Sequence, residues 1–285
     1  MSNSLKIRLI TFDAYNTLFK PKGSLSAQYA QEAAKYGVNV TKAAITQHFG
    51  EAYKHQLARA PFYGRNLGMS SRSWWEELVY STFIRAGVNK SVLDPAFGSL
   101  FEALFTRFET KEGYTVFPDV RNTLDELQRR GFRMGVISNS DERLLSVVES
   151  LELGHYFDFV LPSNVAGYEK PDAEIFEAAR HLVDPTVLPE HILHVGDDIE
   201  KDYYGAKKAG WHAVLLKRSL LSYQDPAPAF AADYEGAGKI PKTIMALHDL
   251  YAITGYMTLK PPSSDSTSTT IATPPEPARK AAASS

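Results

Sequence analysis

The stretch that most constrains this chain is Ile7-Arg8-Leu9-Ile10-Thr11-Phe12-Asp13, a β-favouring apolar run that ends abruptly in an acid. The residues behind it, Ala14-Tyr15-Asn16-Thr17, are mostly small and polar. This pattern reads as a buried strand that delivers a carboxylate from its C-terminal end. In an open α/β sheet that end is where ligands are met, which makes Asp13 the candidate nucleophile. The competing reading is an aspartate that merely starts a turn.

The rest of the chain bears on that choice. Lys20 to Ser24 reads as a turn-rich exit from the first strand. From there to about Glu112 the pattern is helical, with helices predicted at 26–36, 42–57, 71–85 and 96–108. In the third, Trp74, Leu78, Val79, Thr82 and Phe83 share one face, as an amphipathic helix requires. At Gly113 the character changes. Short apolar strands are predicted at 134–137, 157–161, 191–195 and 213–216. Between them lie helical stripes: Val120, Leu124 and Leu127; then Leu144, Val147, Val148 and Leu151; then Ile175, Ala178, Ala179 and Leu182. A last helix is predicted at 242–251.

Strands alternating with helices imply βαβ units and a parallel sheet. The expected class is therefore α/β: a Rossmann-like parallel-sheet core of about five strands, with an inserted all-helical cap. The core would comprise residues 1–19 and 114–258, and the cap 24–112. Residues 261–285 consist mainly of Pro, Ser, Thr and Ala, and predict a disordered tail.

Composition narrows the function. The chain has 285 residues, 44% hydrophobic and 22% charged, with 31 basic against 33 acidic side chains for a net charge of −2. Nothing there favours nucleic acid or an anionic membrane as the main partner. With no cysteine, disulfides, thiol nucleophiles and thiolate metal sites are excluded. The first residues lack a signal peptide's apolar region, and no apolar run approaches the ~18 residues of a membrane span. A cytoplasmic protein is expected, with the nucleus open to it as well. No pattern specifies an oligomeric state.

The strand ends carry the chemistry. The first offers Asp13 and Thr17, the second Ser138 and Asn139, and the fourth Asp197, Asp198 and Asp202, while Lys170 precedes Pro171 at a predicted helix start. A parallel sheet brings such ends together. Phosphoryl transfer suits them. A carboxylate such as Asp13 can attack phosphorus, and Mg²⁺ held by oxygen ligands, with the ammonium of Lys170, would offset the repulsion between two anions. Ser138 and nearby N–H groups could hold phosphate oxygens.

In order, Asp13-x-x-x-Thr17, Ile137-Ser138-Asn139, Lys170-Pro171-Asp172 and Gly196-Asp197-x-x-x-x-Asp202 resemble the motif set of the haloacid dehalogenase (HAD) hydrolase superfamily, over about residues 5–216. The helical insertion is similar to that family's first type of cap. The resemblance implies a hydrolase of a small phosphorylated metabolite, working through an aspartyl intermediate on Asp13. Thr17 and Ser138 would contact phosphate, and Lys170 would be the charge-neutralising amine. Asn139 and Tyr15 would line the substrate site. Asp13, the Tyr15 carbonyl and Asp197 would bind Mg²⁺, and Asp202 would orient metal-bound water or the lysine.

One position departs from the pattern. Phosphatases of this family usually carry a second aspartate two residues after the nucleophile, where this chain has Tyr15. A phenol with pKa near ~10 is a poor base at neutral pH, and losing a positioned acid–base group costs on the order of 10²–10⁴ in rate. Asp13-Ala14-Tyr15 also resembles the metal-free 2-haloacid dehalogenases. Those, however, carry a substrate-receiving arginine early in the cap, and residues 45–53 here contain none. A non-catalytic binding or regulatory protein on the same scaffold is the third reading. Among other residues, at most one of Trp74 and Trp75 can face a given site, and Arg65 reads as a solvated loop residue. His194 reads as structural and Asp141 as a helix cap. Asp198 reads equally as a metal-shell acid or a solvated neighbour.

Overall fold

Leu9–Phe12 (β1) lies inside a six-stranded parallel sheet, and all four of its residues are buried. The computed structural model describes residues 7–184, 186–218, 246–247 and 249–256. Complete burial explains why β1 reads as an unbroken apolar run: helices cover both faces of such a sheet. Its one polar side chain, Thr11, meets its hydrogen-bonding need with His194 Nδ1 at 2.8 Å.

From β1 the chain runs through Phe19–Pro21 (β2) into four helices, Leu25–Lys35 (α1), Lys42–Arg59 (α2), Ser71–Arg85 (α3) and Lys90–Arg107 (α4). It returns along Tyr114–Val116 (β3). Lys20 to Ser24 is thus not simply a turn, because β2 and β3 form an antiparallel ribbon pairing Phe19 with Val116 and Pro21 with Tyr114. The helical insertion hangs on these two adjacent strands. Gln28 Nε2 clasps the ribbon by donating to Lys22 O and Gly113 O, each at 3.0 Å. On α3 the buried residues include Trp74, Leu78, Val79, Thr82 and Phe83, the face expected from spacing. α4 starts six residues before the predicted position, capped by the Asn89 side chain, and carries Pro95 inside it.

After β3 the strands and helices alternate: Val120–Arg129 (α5), Arg133–Ser138 (β4), Arg143–Ser150 (α6), Phe159–Pro162 (β5), Ser163–Ala166 (α7), Ala173–Val183 (α8) and Ile192–Gly196 (β6). A π-helical turn at Ile199–Tyr204 leads through Gly205–Lys208 (α9) to His212–Leu216 (β7). The sheet order is β5-β4-β1-β6-β7-β8, with β1 parallel to both β4 and β6. The chain passes from β1 to β4 and β5 on one side and then crosses back to β6 and β7 on the other, so the strand order reverses beside β1, and the strand ends there form the crevice where ligands bind in such sheets.

Two sequence readings need correction. On α8 the buried stripe is Ile175, Phe176 and Ala179, whereas Leu182 is 51% exposed. The helix is rotated so that Phe176 packs edge-on against Trp211 at 5.2 Å and against His194 at 5.3 Å. Within the stretch predicted as a helix at 242–251, the described residues Ala246–Leu247 (β8) instead add a sixth strand beside β7, and a short helix follows at Ala252–Tyr256 (α10). Residues 242–245 and the predicted tail at 261–285 lie outside the described residues. Among the described residues, no helix is long and apolar enough to cross a membrane.

Candidate active site

Asp13 leaves the end of β1 with its backbone N–H donating to Val195 O on β6 at 2.8 Å. The chain then doubles back tightly: Leu18 N–H reaches Ala14 O at 2.8 Å, and Asn16 takes the left-handed conformation at φ 60°. This turn presents Asp13 and Tyr15 to one cavity of about 350 Å³ beneath the helical insertion.

Lys170 comes from the connection between α7 and α8 and is almost fully buried. Its ammonium uses all three protons, donating to Asp13 Oδ1 at 2.7 Å, Ile137 O at 2.8 Å and Asp202 Oδ1 at 2.6 Å. Asn139 holds this residue from the next strand end. Its side-chain amide accepts from Lys170 N at 2.7 Å and donates to Lys170 O at 2.8 Å. Asp202 sits on the π-helical turn, and its carboxylate is engaged throughout. Besides Lys170, His194 Nε2 lies 3.1 Å from Oδ1, and the Asp198 N–H donates to Oδ2 at 2.9 Å. His194 thus stands behind Asp202, with Thr11 on its other ring nitrogen, as a structural residue that also orients the site.

Asp13, Asp197 and Asp202 each offer a carboxylate oxygen within 4.8 Å of the others. Three acids this close cannot all ionise cheaply beside a single ammonium. Burial pushes the Asp13 pKa up to about 6, Lys170 opposing the rise and Asp202 adding to it. Burial, then the charges of Asp13 and Asp202, raise Asp197 well above the carboxylate range. Asp202 goes the other way: burial works against its charge, but Lys170 and His194 outweigh it and hold it ionised. Against burial, the two aspartates hold Lys170 protonated. A donor set made only of hard oxygens, with more negative than positive charge, fits a divalent cation such as Mg²⁺.

Ser138, at the end of β4, and Asn139 are both on the cavity wall. Thr17 is not brought there. It is fully buried, and its hydroxyl has no hydrogen-bond partner among the described residues. Asp198 is a cap, accepting from Glu200 N and Lys201 N, each at 2.9 Å. The ring of Tyr15 packs edge-on against Phe19 at 5.1 Å and Tyr114 at 5.7 Å, and its hydroxyl is hydrogen-bonded to that of Tyr114. Burial, and then the neighbouring Tyr114 and Asp141, raise its pKa well above the phenol value, so it stays protonated.

A second charged group was not legible in the sequence. Arg143 binds Asp141 with Nε at 2.9 Å and Nη2 at 2.7 Å, and Trp75 Nε1 donates to the same carboxylate at 2.5 Å. Asp141 Oδ1 also accepts from Arg143 N, although the N-cap position of α6 is Glu142 rather than Asp141. Burial disfavours its charge, but Arg143 and Trp75 prevail and its pKa is lowered. Trp75 therefore reaches the site, while Trp74 is fully buried among the helices. Ser71 bonds Glu142, Tyr63 OH donates to Asn139 O at 3.2 Å, and Arg65 bonds the Asn164 carbonyl. These three contacts, with that of Trp75 to Asp141, tie the insertion to residues 139–164. Arg65 lies off the cavity wall and serves as a strut.

Fold and strand-end cluster together define a class of hydrolase, and comparison with known proteins agrees. Residues 7–210 match the haloacid dehalogenase-like hydrolase family, and the chain belongs to it. It is 37% identical to the Bos taurus haloacid dehalogenase-like hydrolase domain-containing protein 3 over 216 residues, covering 76% of this chain and 84% of that one. Among solved structures, it resembles a 2-haloacid dehalogenase from Pseudomonas syringae (TM-score 0.57, 22% identity, 88% of this chain and 97% of that one). It also resembles a putative HAD-hydrolase from Bacillus subtilis bound to magnesium (TM-score 0.59, 16% identity, 89% and 99%). At such identities the two structures speak for the fold alone.

Proposed function

We propose that this chain is a Mg²⁺-dependent, phosphatase-like hydrolase of a small phosphorylated metabolite. The observation that carries the reading is the buried cluster at the strand ends, where Lys170 bridges Asp13 and Asp202 and Asp197 lies within reach of both. Asp13, Asp197 and the Tyr15 carbonyl would hold the cation; Asp13, Asp197 and Asp202 bring their carboxylate oxygens within 4.8 Å of one another. When bound, Mg²⁺ supplies positive charge that lets a dianionic phosphate approach a carboxylate.

The chain's own residues do the rest. The Asp13 carboxylate attacks phosphorus and forms an aspartyl phosphate; the bond from phosphorus to the leaving oxygen breaks, and that oxygen takes its proton from water. Lys170 keeps Asp13 oriented and neutralises charge developing on the phosphoryl oxygens. Ser138 offers a hydroxyl to one of those oxygens. Asn139, with both ends of its amide committed to the Lys170 backbone, positions the lysine rather than the substrate. Asp202 and His194 fix Lys170 from behind. Water then attacks phosphorus, the P–O bond to Asp13 breaks, and phosphate leaves.

The test is a screen against phosphorylated metabolites with Mg²⁺ and with EDTA, alongside 2-haloacids without metal. Phosphate release that EDTA abolishes is expected. Metal-free halide release would overturn the proposal in favour of a dehalogenase. Silence on both panels, with small-molecule binding retained, would favour a binding protein.

A further inference from the structure

Every residue that the helices between β2 and β3 contribute to the cavity wall is apolar or aromatic, including Tyr29, Tyr53, Leu57, Trp75, Val79 and Phe105. None carries a charge. The charged residues on the wall belong to the sheet side, and its cations are already paired. Lys170 is held by Asp13 and Asp202, Lys201 lies 3.7 Å from Asp198, and Arg143 is bound by Asp141. The Arg143 guanidinium also lies against the rings of Trp75 at 4.6 Å and Phe105 at 4.5 Å. The helix side of that wall therefore offers no cation to receive a second phosphate or a carboxylate. Groups of that kind would lose their hydration without recovering it.

The turn after Asp13 adds an independent constraint. Where a leaving alkoxide would need a proton, the wall offers Tyr15, a half-buried phenol whose ring is packed edge-on against Phe19 and Tyr114. A phenolate leaving group has a conjugate acid near pKa ~10 and departs without that proton.

Resting on the phosphatase reading above, we infer that the substrate is an aryl phosphate monoester, whose uncharged aromatic leaving group fills the space under the insertion. A cavity of about 350 Å³ suits one or two fused rings. The aromatic wall offers edge-on and stacked contacts to such a ring. In the reaction the Asp13 oxygen forms a bond to phosphorus, and the bond from phosphorus to the aryl oxygen breaks. The electron pair stays on that oxygen, and the phenolate takes its proton from water after release. Water next attacks phosphorus, restoring the Asp13 carboxylate. The balance is ester plus water giving phenol plus phosphate.

The experiment compares kcat/KM, with Mg²⁺, for naphthyl phosphate, phenyl phosphate, cyclohexylmethyl phosphate, phosphoserine and glucose 6-phosphate. In parallel, calorimetry measures binding of 2-naphthol, with glucose as control. Naphthyl and phenyl phosphates are expected to exceed the two polar esters by about 10²-fold or more. Cyclohexylmethyl phosphate should bind comparably but turn over slowly, and 2-naphthol should bind while glucose does not. Equal efficiency on glucose 6-phosphate or phosphoserine would overturn the leaving-group assignment and leave the phosphatase standing. Fast turnover of cyclohexylmethyl phosphate would overturn its aryl half. Absence of hydrolysis throughout, with 2-naphthol still bound, would overturn the phosphatase reading and support an aromatic pocket. Failure of both arms would overturn both.

Discussion

At the scale of single residues, Tyr15 governs the expected rate. Its phenol is half-buried, protonated and committed to Tyr114, and Asp141 cannot substitute for it as a base, since both Asp141 oxygens are held by Arg143 and Trp75. Formation of the aspartyl phosphate from an activated ester needs no acid, but its hydrolysis needs an activated water. A burst followed by slow turnover is therefore expected with 4-nitrophenyl phosphate. A carboxylate placed by Tyr15→Asp would occupy a half-buried site near the charge of Asp141, where its own pKa should rise toward that of a usable acid–base group. The slow phase should then quicken by up to ~10²-fold in quenched-flow measurements. Rapid turnover of alkyl phosphates by the wild type, unchanged in Tyr15→Asp, would show that this position does not limit the chemistry.

At the scale of elements, β6 and the π-helical turn behind it carry the precision of the site. Gly196 ends β6, and a Cβ there would lie 2.1 Å from Asp202 Cγ. The turn can fold Asp202 back onto Lys170 only because that atom is missing. Gly196→Ala should displace Asp202, with a loss of about 10²-fold in kcat, the scale of a 1 Å misplacement. A lowered Tm should accompany it, because a buried ion pair is disturbed. Wild-type kcat with an unchanged Tm would contradict this account of the turn. What the sequence made legible follows the same division between local and tertiary signals. The buried face of α3 and the strand ends at Asp13, Ser138 and Asp197 were readable, since periodicity and abrupt apolar-to-polar boundaries are local. The β2–β3 ribbon and β8 were not, because strands of two or three residues carry no periodicity, and their pairing is decided by distant partners. α8 was misread by a fraction of a turn because Phe176 follows the pocket around Trp211 rather than the simplest stripe.

At the scale of the molecule, function lies between two parts of unlike chemistry. The sheet ends supply charge: Asp13, Asp197, Asp202 and Lys170. The four helices supply a wholly uncharged wall, which no motif revealed because it is assembled by packing from α1 to α4 and the loop before α3. Dividing the chain into a core of residues 1–19 and 114–258 and a cap of 24–112 remains a proposal, consistent with a connection through the β2–β3 ribbon. Charge on one side and an apolar wall on the other suit an enzyme that works on phosphorus while holding a ring. The account stands or falls on the covalent bond between Asp13 and that phosphorus. The most direct test is to mix the protein and Mg²⁺ with a phosphate-labelled aryl ester, quench in acid within the burst, and map the label by peptide mass. Label approaching one phosphoryl group per chain on the peptide containing Asp13 is predicted, absent with EDTA and in Asp13→Asn. A full burst with no label on that peptide, or undiminished turnover by Asp13→Asn, would contradict it.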